Sequence, residues 1–86
     1  MKYELIEGRI PLGDGAVKII QIRRISDGFI VFKYPKAKRL ESNFKDLLEK
    51  INVIGENYGA QEDAESVIEE LIEEFKTLIK RVALRS

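Results

Sequence analysis

Residues 16–35 read AVKIIQIRRISDGFIVFKYP, two runs of β-branched, aliphatic and aromatic residues on either side of Asp27-Gly28. Such residues favour extended chain, and Asp-Gly is a strong hairpin signal because a type I′ turn needs φ > 0 at both central positions. The stretch therefore predicts a strand over 16–26, a tight turn, and a strand over 29–34. Pro35 ends the last of these, since it has no N–H to give a ladder. Working outward, Gly13-Asp14-Gly15 separates a further strand over 3–12. A two-residue Asp27-Gly28 turn sets Ile25 opposite Ile30, Arg23 opposite Phe32 and Gln21 opposite Tyr34. A three-residue Gly13-Asp14-Gly15 loop sets Leu12 opposite Ala16 and Leu5 opposite Arg23.

Beyond Pro35 the apolar period changes from two to between three and four. Phe44, Leu47, Leu48, Ile51 and Ile54 recur at helical spacing after Asn43, an N-cap candidate, with a start near Lys36 as the alternative. Gly55 or Gly59 is the expected stop. A second helix over 62–84 carries Val67, Ile68, Leu71, Ile72, Phe75, Leu78, Ile79 and Val82, with acids crowding its first half and bases its last, as the helix dipole favours. The predicted fold is α+β: a three-stranded antiparallel β-meander followed by two α-helices packed on one sheet face, βββαα. It forms a single domain over 1–86, made of a meander over 1–35, a first helical region over 36–59 and a C-terminal helix over 60–86.

Composition narrows the chemistry. Within 86 residues there is no Cys, no His and no Trp, so thiolate and imidazole catalysis, Cys or His zinc sites and disulfides are excluded. No apolar leader or 18-residue apolar run is present, and the expectation is a cytoplasmic protein with no membrane partner. The chain is rich in Glu, Lys and Arg and poor in Asn and Gln, a bias often seen in thermophile proteins. Glu69, Glu70, Glu73 and Glu74 place carboxylates at i and i+4 on one helix, a spacing that a hard cation could use but that a solvated acidic face explains as well. No other spacing suggests catalysis. We therefore read the protein as no enzyme, with no metal, no cofactor and no small-molecule substrate.

Net charge is zero, yet residues 1–40 hold nine Lys and Arg against four acids, while the remainder holds six against eleven. Such asymmetry points either to a polyanionic partner or to attraction between the halves. With the registers above, one sheet face carries Ile6, Ile10, Leu12, Ile20, Ile22, Phe29 and Val31, which the helices should cover. The other carries Tyr3, Leu5, Arg9, Val17, Ile19, Arg23, Ile25, Ile30, Phe32 and Tyr34, too apolar to face water alone.

Two readings follow. Arg23, Arg24, Phe32, Lys33, Tyr34, Lys36, Lys38 and Arg39 lie within seventeen residues, and aromatic rings interleaved with cations suit single-stranded nucleic acid of low sequence specificity. Arg23, Phe32 and Tyr34 would then meet bases, and Lys36, Lys38 and Arg39 would clamp phosphates. Alternatively the same face is an oligomer or partner interface of a non-enzymatic interaction or scaffold module. A homo-oligomer is expected in either case, with Val67, Leu71, Phe75, Leu78 and Val82 forming a seam near heptad spacing. The order of a meander followed by a long helix resembles the coactivator-type and Whirly single-stranded-DNA-binding folds, which implies helix-mediated dimers that offer sheet surface to single strands. Those folds have four strands where three are predicted here and lack the second helix, so the resemblance assigns no residue a role.

Overall fold

The turns decide the sheet. In this computed structural model, which describes residues 1–58 and 61–85 with side-chain surroundings for 1–58 and 64–82, β1 (Tyr3–Leu12) pairs antiparallel with β2 (Gly15–Arg24), and β2 with β3 (Ile30–Pro35). Leu12 lies opposite Gly15, so the first connection is the two residues Gly13 and Asp14. Gly13 has φ 60° and Asp14 does not enter positive φ, the pattern of a type II′ turn. This corrects the three-residue loop and shifts the first-strand register by one residue.

The second hairpin is corrected in the same way. Only Gly28 in its loop has positive φ, at 76°, so Asp27-Gly28 does not form a type I′ turn. Asp27 instead accepts the N–H of Phe29 at 3.1 Å and binds Arg24 through both carboxylate oxygens, at 2.9 and 2.6 Å. Ladder bonding closes at Arg24, whose N–H donates to the Phe29 carbonyl and whose carbonyl accepts from Gly28. With four residues in the loop and a bulge at Ile22/Arg23, Phe32 lies opposite Ile22 and Tyr34 opposite Ile20. Because side chains alternate faces, a one-residue slip moves every one of them to the other side.

The covered face therefore holds Tyr3, Ile20, Ile22 and Phe32, all buried, with Leu5 and Tyr34 packed beside them. Both helices lie on it. A 3-10 turn at Lys38–Leu40 leads into α1 (Glu41–Asn57), and α2 (Gln61–Arg85) returns. Asn43 is thus inside α1 and caps nothing; Leu40 stands at the N-cap without a side-chain bond. The α1 stripe Phe44, Leu47 and Ile51 is buried as the period predicted, and α2 buries Ile68, Ile72, Phe75 and Ile79. Phe32, Phe44 and Phe75 form a cluster with centroids 5.5 to 6.3 Å apart, Phe75 meeting Phe32 edge-on at 86°. Tyr34 lies parallel to Phe32 at 6.3 Å. Cα extents of 44 × 30 × 17 Å leave room for one sheet layer and one helix layer.

Gly55 is inside α1 and is not its stop; Gly59 lies outside the described residues. The reason for glycine is a close approach: a Cβ at Gly55 would stand 2.9 Å from Cε1 of the buried Tyr3 ring. Three residues earlier on the same helix, Asn52 is a buried polar side chain of the core. Its Oδ1 accepts from the N–H groups of Lys2 at 3.0 Å and Tyr3 at 2.8 Å, while its Nδ2 donates to the Tyr3 carbonyl at 3.2 Å. It satisfies the start of the β1 edge as a neighbouring strand would.

Two substitutions test this packing by denaturant unfolding. Phe32→Ser should cost about 3–5 kcal/mol, a large share of the stability of a small domain, because it empties a buried ring position; a Phe32→Ser protein of unchanged midpoint would place the ring outside the core. Gly55→Ala should destabilise by about 1–3 kcal/mol despite alanine's better helix propensity, since a Cβ 2.9 Å from Tyr3 Cε1 forces the buried ring out of its packed position.

Candidate interaction surfaces of the sheet

The face turned away from the helices is set by the same registers. Ile6 lies opposite Gln21, Gly8 opposite Ile19, Ile10 opposite Val17, Leu12 opposite Gly15 and Glu4 opposite Arg23. On the β3 side, Lys33 and Pro35 face Gln21 and Ile19, and Ile30 faces Arg23. Ile10 is 44% exposed, Leu12 68% and Val17 36%, high values for aliphatic side chains sharing one surface. Ile19 is only 6% exposed although no helix covers it. It lies over Gly8, where a Cβ would come within 3.3 Å of its Cγ1 and 3.1 Å of Gln21 Oε1. The surface is thus a smooth aliphatic strip, closed at one end by the Glu4–Arg23 ion pair, in which Arg23 Nε donates to Glu4 Oε2 at 2.9 Å.

The residues singled out for nucleic acid do not share a face. Phe32, 3% exposed, belongs to the core, and Tyr34 is half-buried against Phe32 and Phe44. Arg23 is on the open face but bonded to Glu4. Arg24 is on the covered side, its side chain 14% exposed, held by Asp27 and by Glu65 at 2.6 Å, with the Phe29 ring 5.2 Å from its guanidinium carbon. Lys36 pairs with Glu7. Lys33, Lys38 and Arg39 are exposed. The arrangement fails as a stacking platform because the four-residue loop and the bulge turn both aromatics inward. Of the half-to-half attraction inferred from charge, Arg24–Glu65 is a direct instance, whereas Arg23–Glu4 and Lys36–Glu7 lie within the basic half.

The helical seam also divides. Phe75 is in the core, Leu71 and Val82 pack at its margin, Val67 is half-buried, and Leu78 is 46% exposed. The row facing inward is Ile68, Ile72, Phe75 and Ile79, because α2 rests on both the sheet and α1. Glu69, Glu70, Glu73 and Glu74 are exposed, and among the described residues no group of three or more acids could hold a metal ion. A hollow of about 480 Å³ near Tyr3, Gly55 and Tyr58 is lined by two cations, Lys2 and Arg24, of which Arg24 is already bonded to two carboxylates. Among the described residues no helix is long and apolar enough to cross a membrane.

Sequence reasoning missed the exposed edge of β1. Lys36 N–H donates to the Lys18 carbonyl, so Lys18 points its backbone at β3, and Arg9 opposite it points away from β2. By the alternation of antiparallel ladders, Leu5, Glu7 and Arg9 aim their N–H and C=O groups outward. The signal was legible in the chain: Pro11 continues that outward series, where its missing N–H breaks no internal bond. Asn52 satisfies Lys2 and Tyr3 and reaches no further along the edge. At the other edge β3 is shorter and carries Lys33 and Pro35, features that blunt edges.

No family model, curated protein or solved structure matches the chain.

Acid titration reads the second hairpin. The Arg24 guanidinium, helped by the Phe29 N–H, pulls the Asp27 carboxyl from 3.8 down to about 2, and hydrogen bonding to Lys36 lowers Glu7 as well. A depressed carboxyl contributes its stability above its unfolded value and loses it as pH falls. Asp27→Asn should therefore be less stable than the native chain by a constant margin above about pH 4, and the margin should close between 3.8 and about 2. A pH series of urea midpoints checks this, and a margin that persists at pH 2 would remove the Arg24–Asp27 pair from the account.

Proposed function

We propose that the protein is a non-enzymatic interaction module that holds a protein partner against its uncovered sheet face. The supporting observation is the exposure of Ile10, Leu12 and Val17 on one aliphatic strip, where Glu4 and Arg23 neutralise each other and Lys33 adds one exposed cation at the β3 side. Two strands of roughly 33 Å and a third of roughly 20 Å, about 4.8 Å apart, give the whole face on the order of 400 Å², and its aliphatic part at Ile6, Ile10, Leu12 and Val17 is one continuous patch of the kind that marks interaction sites. Few charges and no aromatic ring on the strip favour a protein surface over a phosphate backbone. Of the residues singled out for nucleic acid, Lys33, Lys38 and Arg39 are exposed without a carboxylate partner among the described residues, and neither Phe32 nor Tyr34 stands beside them to stack a base.

The test places a photoreactive phenylalanine analogue at Gln21, in the middle of the face, in cells that make the protein. A discrete protein adduct is expected, absent when Val17→Lys is added and absent when the same probe replaces Lys80 on α2. No adduct, or an adduct with nucleic acid, would overturn the reading. So would saturable, salt-sensitive binding of a labelled single-stranded oligonucleotide that reversal of Lys36, Lys38 and Arg39 abolishes.

A further inference from the structure

We propose that two copies of this chain join through the exposed edge of β1, antiparallel about a two-fold axis at Gly8, to make one six-stranded sheet. This stands on the strand edge and does not depend on what covers the sheet face.

The first argument is the open ladder. Leu5, Glu7 and Arg9 present outward backbone groups, and Asn52 satisfies the preceding positions, Lys2 and Tyr3, on the same edge. A strand edge of this length is a template for another strand. Its residues are accessible: Glu7, Arg9, Ile10 and Pro11 are exposed, and Leu5, Ile6 and Gly8 half-buried.

The second argument is register. A two-fold axis perpendicular to the sheet pairs residue i of one copy with residue j of the other at a constant sum. Centred on Gly8, it sets Glu7 opposite Arg9 twice, once on each side of the axis, and Ile6 opposite Ile10 twice on the other face. Glu7 and Arg9 are outward-pointing positions, so each such pair exchanges both backbone hydrogen bonds. Leu5 N–H meets the Pro11 carbonyl, and the N–H that proline lacks is the last the ladder would need. At the axis two glycines face each other, which allows the close approach of a non-hydrogen-bonded pair. Neighbouring registers fail on charge or on occupied groups. Centred on Glu7, carboxylate meets carboxylate; centred on Arg9, guanidinium meets guanidinium; centred on Ile6, the Tyr3 groups bonded to Asn52 would have to be released. In the Gly8 register Tyr3 lies beside the partner's hairpin turn, so each strand ends where Asn52 takes over.

Glu7 is the pivot of this charge pattern. Lys36 hydrogen-bonds it, and Lys18 and Arg9 add attraction, so its carboxyl is ionised and faces a predominantly cationic surface. It is also half-exposed, with side-chain accessibility of 51%, and keeps oxygen sites for a second cation from across the axis.

Charge reversal tests the proposal, since each substitution acts twice in a symmetric pair. Sedimentation of the native chain should show a monomer–dimer equilibrium. Glu7→Arg and Arg9→Glu should each weaken it, roughly tenfold or more, by placing like charges opposite each other. Mixed one to one, the two variants should dimerise again, because a chain with guanidinium groups at both positions then faces a chain with carboxylates at both, on either side of the axis. Circular dichroism should show both folded, as Glu7 and Arg9 are exposed. A monomeric native chain at millimolar concentration, dimers indifferent to both reversals, or a mixture that fails to restore association would each overturn the proposal. Hydrogen exchange needs no variant: the amides of Leu5, Glu7 and Arg9 should slow as protein concentration rises, and concentration-independent exchange there would overturn it equally. Failure of the Gln21 cross-link leaves these results untouched, and Val17→Lys, on β2 and off the edge, should leave the dimer intact.

Discussion

Ile22 lies opposite Phe32, and most of the structure depends on that pairing. It puts the Phe32 ring on the helix side, where Phe44 of α1 and Phe75 of α2 close around it, so one cross-strand pair joins the sheet to both helices of the core. Aromatic pairs add about 0.5–1.5 kcal/mol each beyond the area they bury, and here the same ring takes part in several. A slip by one residue would turn Phe32 and Tyr34 out together and bring Lys33 inward against both helices. The register is therefore held by burial on one side and by the loop chemistry of Asp27 on the other.

That loop marks where sequence reading stopped. The order βββαα was legible because apolar periodicity changes at Pro35 and because Phe44, Leu47 and Ile51 recur along one helical face. Register was not legible, because Asp27-Gly28 has two uses. It serves as the centre of a two-residue turn, or it lends its carboxylate to Phe29 N–H and Arg24 and leaves positive φ to Gly28 alone. The choice is made by Arg24, which is also anchored to Glu65 on a helix that is remote in sequence. Gly55 illustrates the same limit: a glycine late in a helix reads as a terminator, and only the Tyr3 ring standing over it shows why the position lacks a Cβ.

With Phe32 and Tyr34 turned inside, the aromatic and basic residues of 23–39 no longer share one surface. Arg23, Arg24 and Lys36 all have carboxylate partners within the chain. The pairs Glu4–Arg23 and Glu7–Lys36 form inside the basic half and leave its net charge unchanged, whereas Arg24–Glu65 ties it to the acidic half. On the open sheet face Ile10, Leu12 and Val17 remain outside, beside the exposed Lys33.

The uncovered face and the uncovered edge are coupled by geometry. A chain of this length buries a modest fraction of its apolar surface with two layers, and adding a third layer requires a sheet wide enough to receive it. Three strands, one of them only six residues long, make a narrow platform. Joining at β1 sets the two longest strands of each copy side by side in the middle and sends the short β3 strands to the outside. Ile6 and Ile10 of each copy then lie next to those of the other, so the aliphatic strips merge into one face about twice as wide. Edge pairing leaves that face uncovered and raises its capacity, since a partner meeting the joined sheet contacts both strips at once and gains the second contact without a second association.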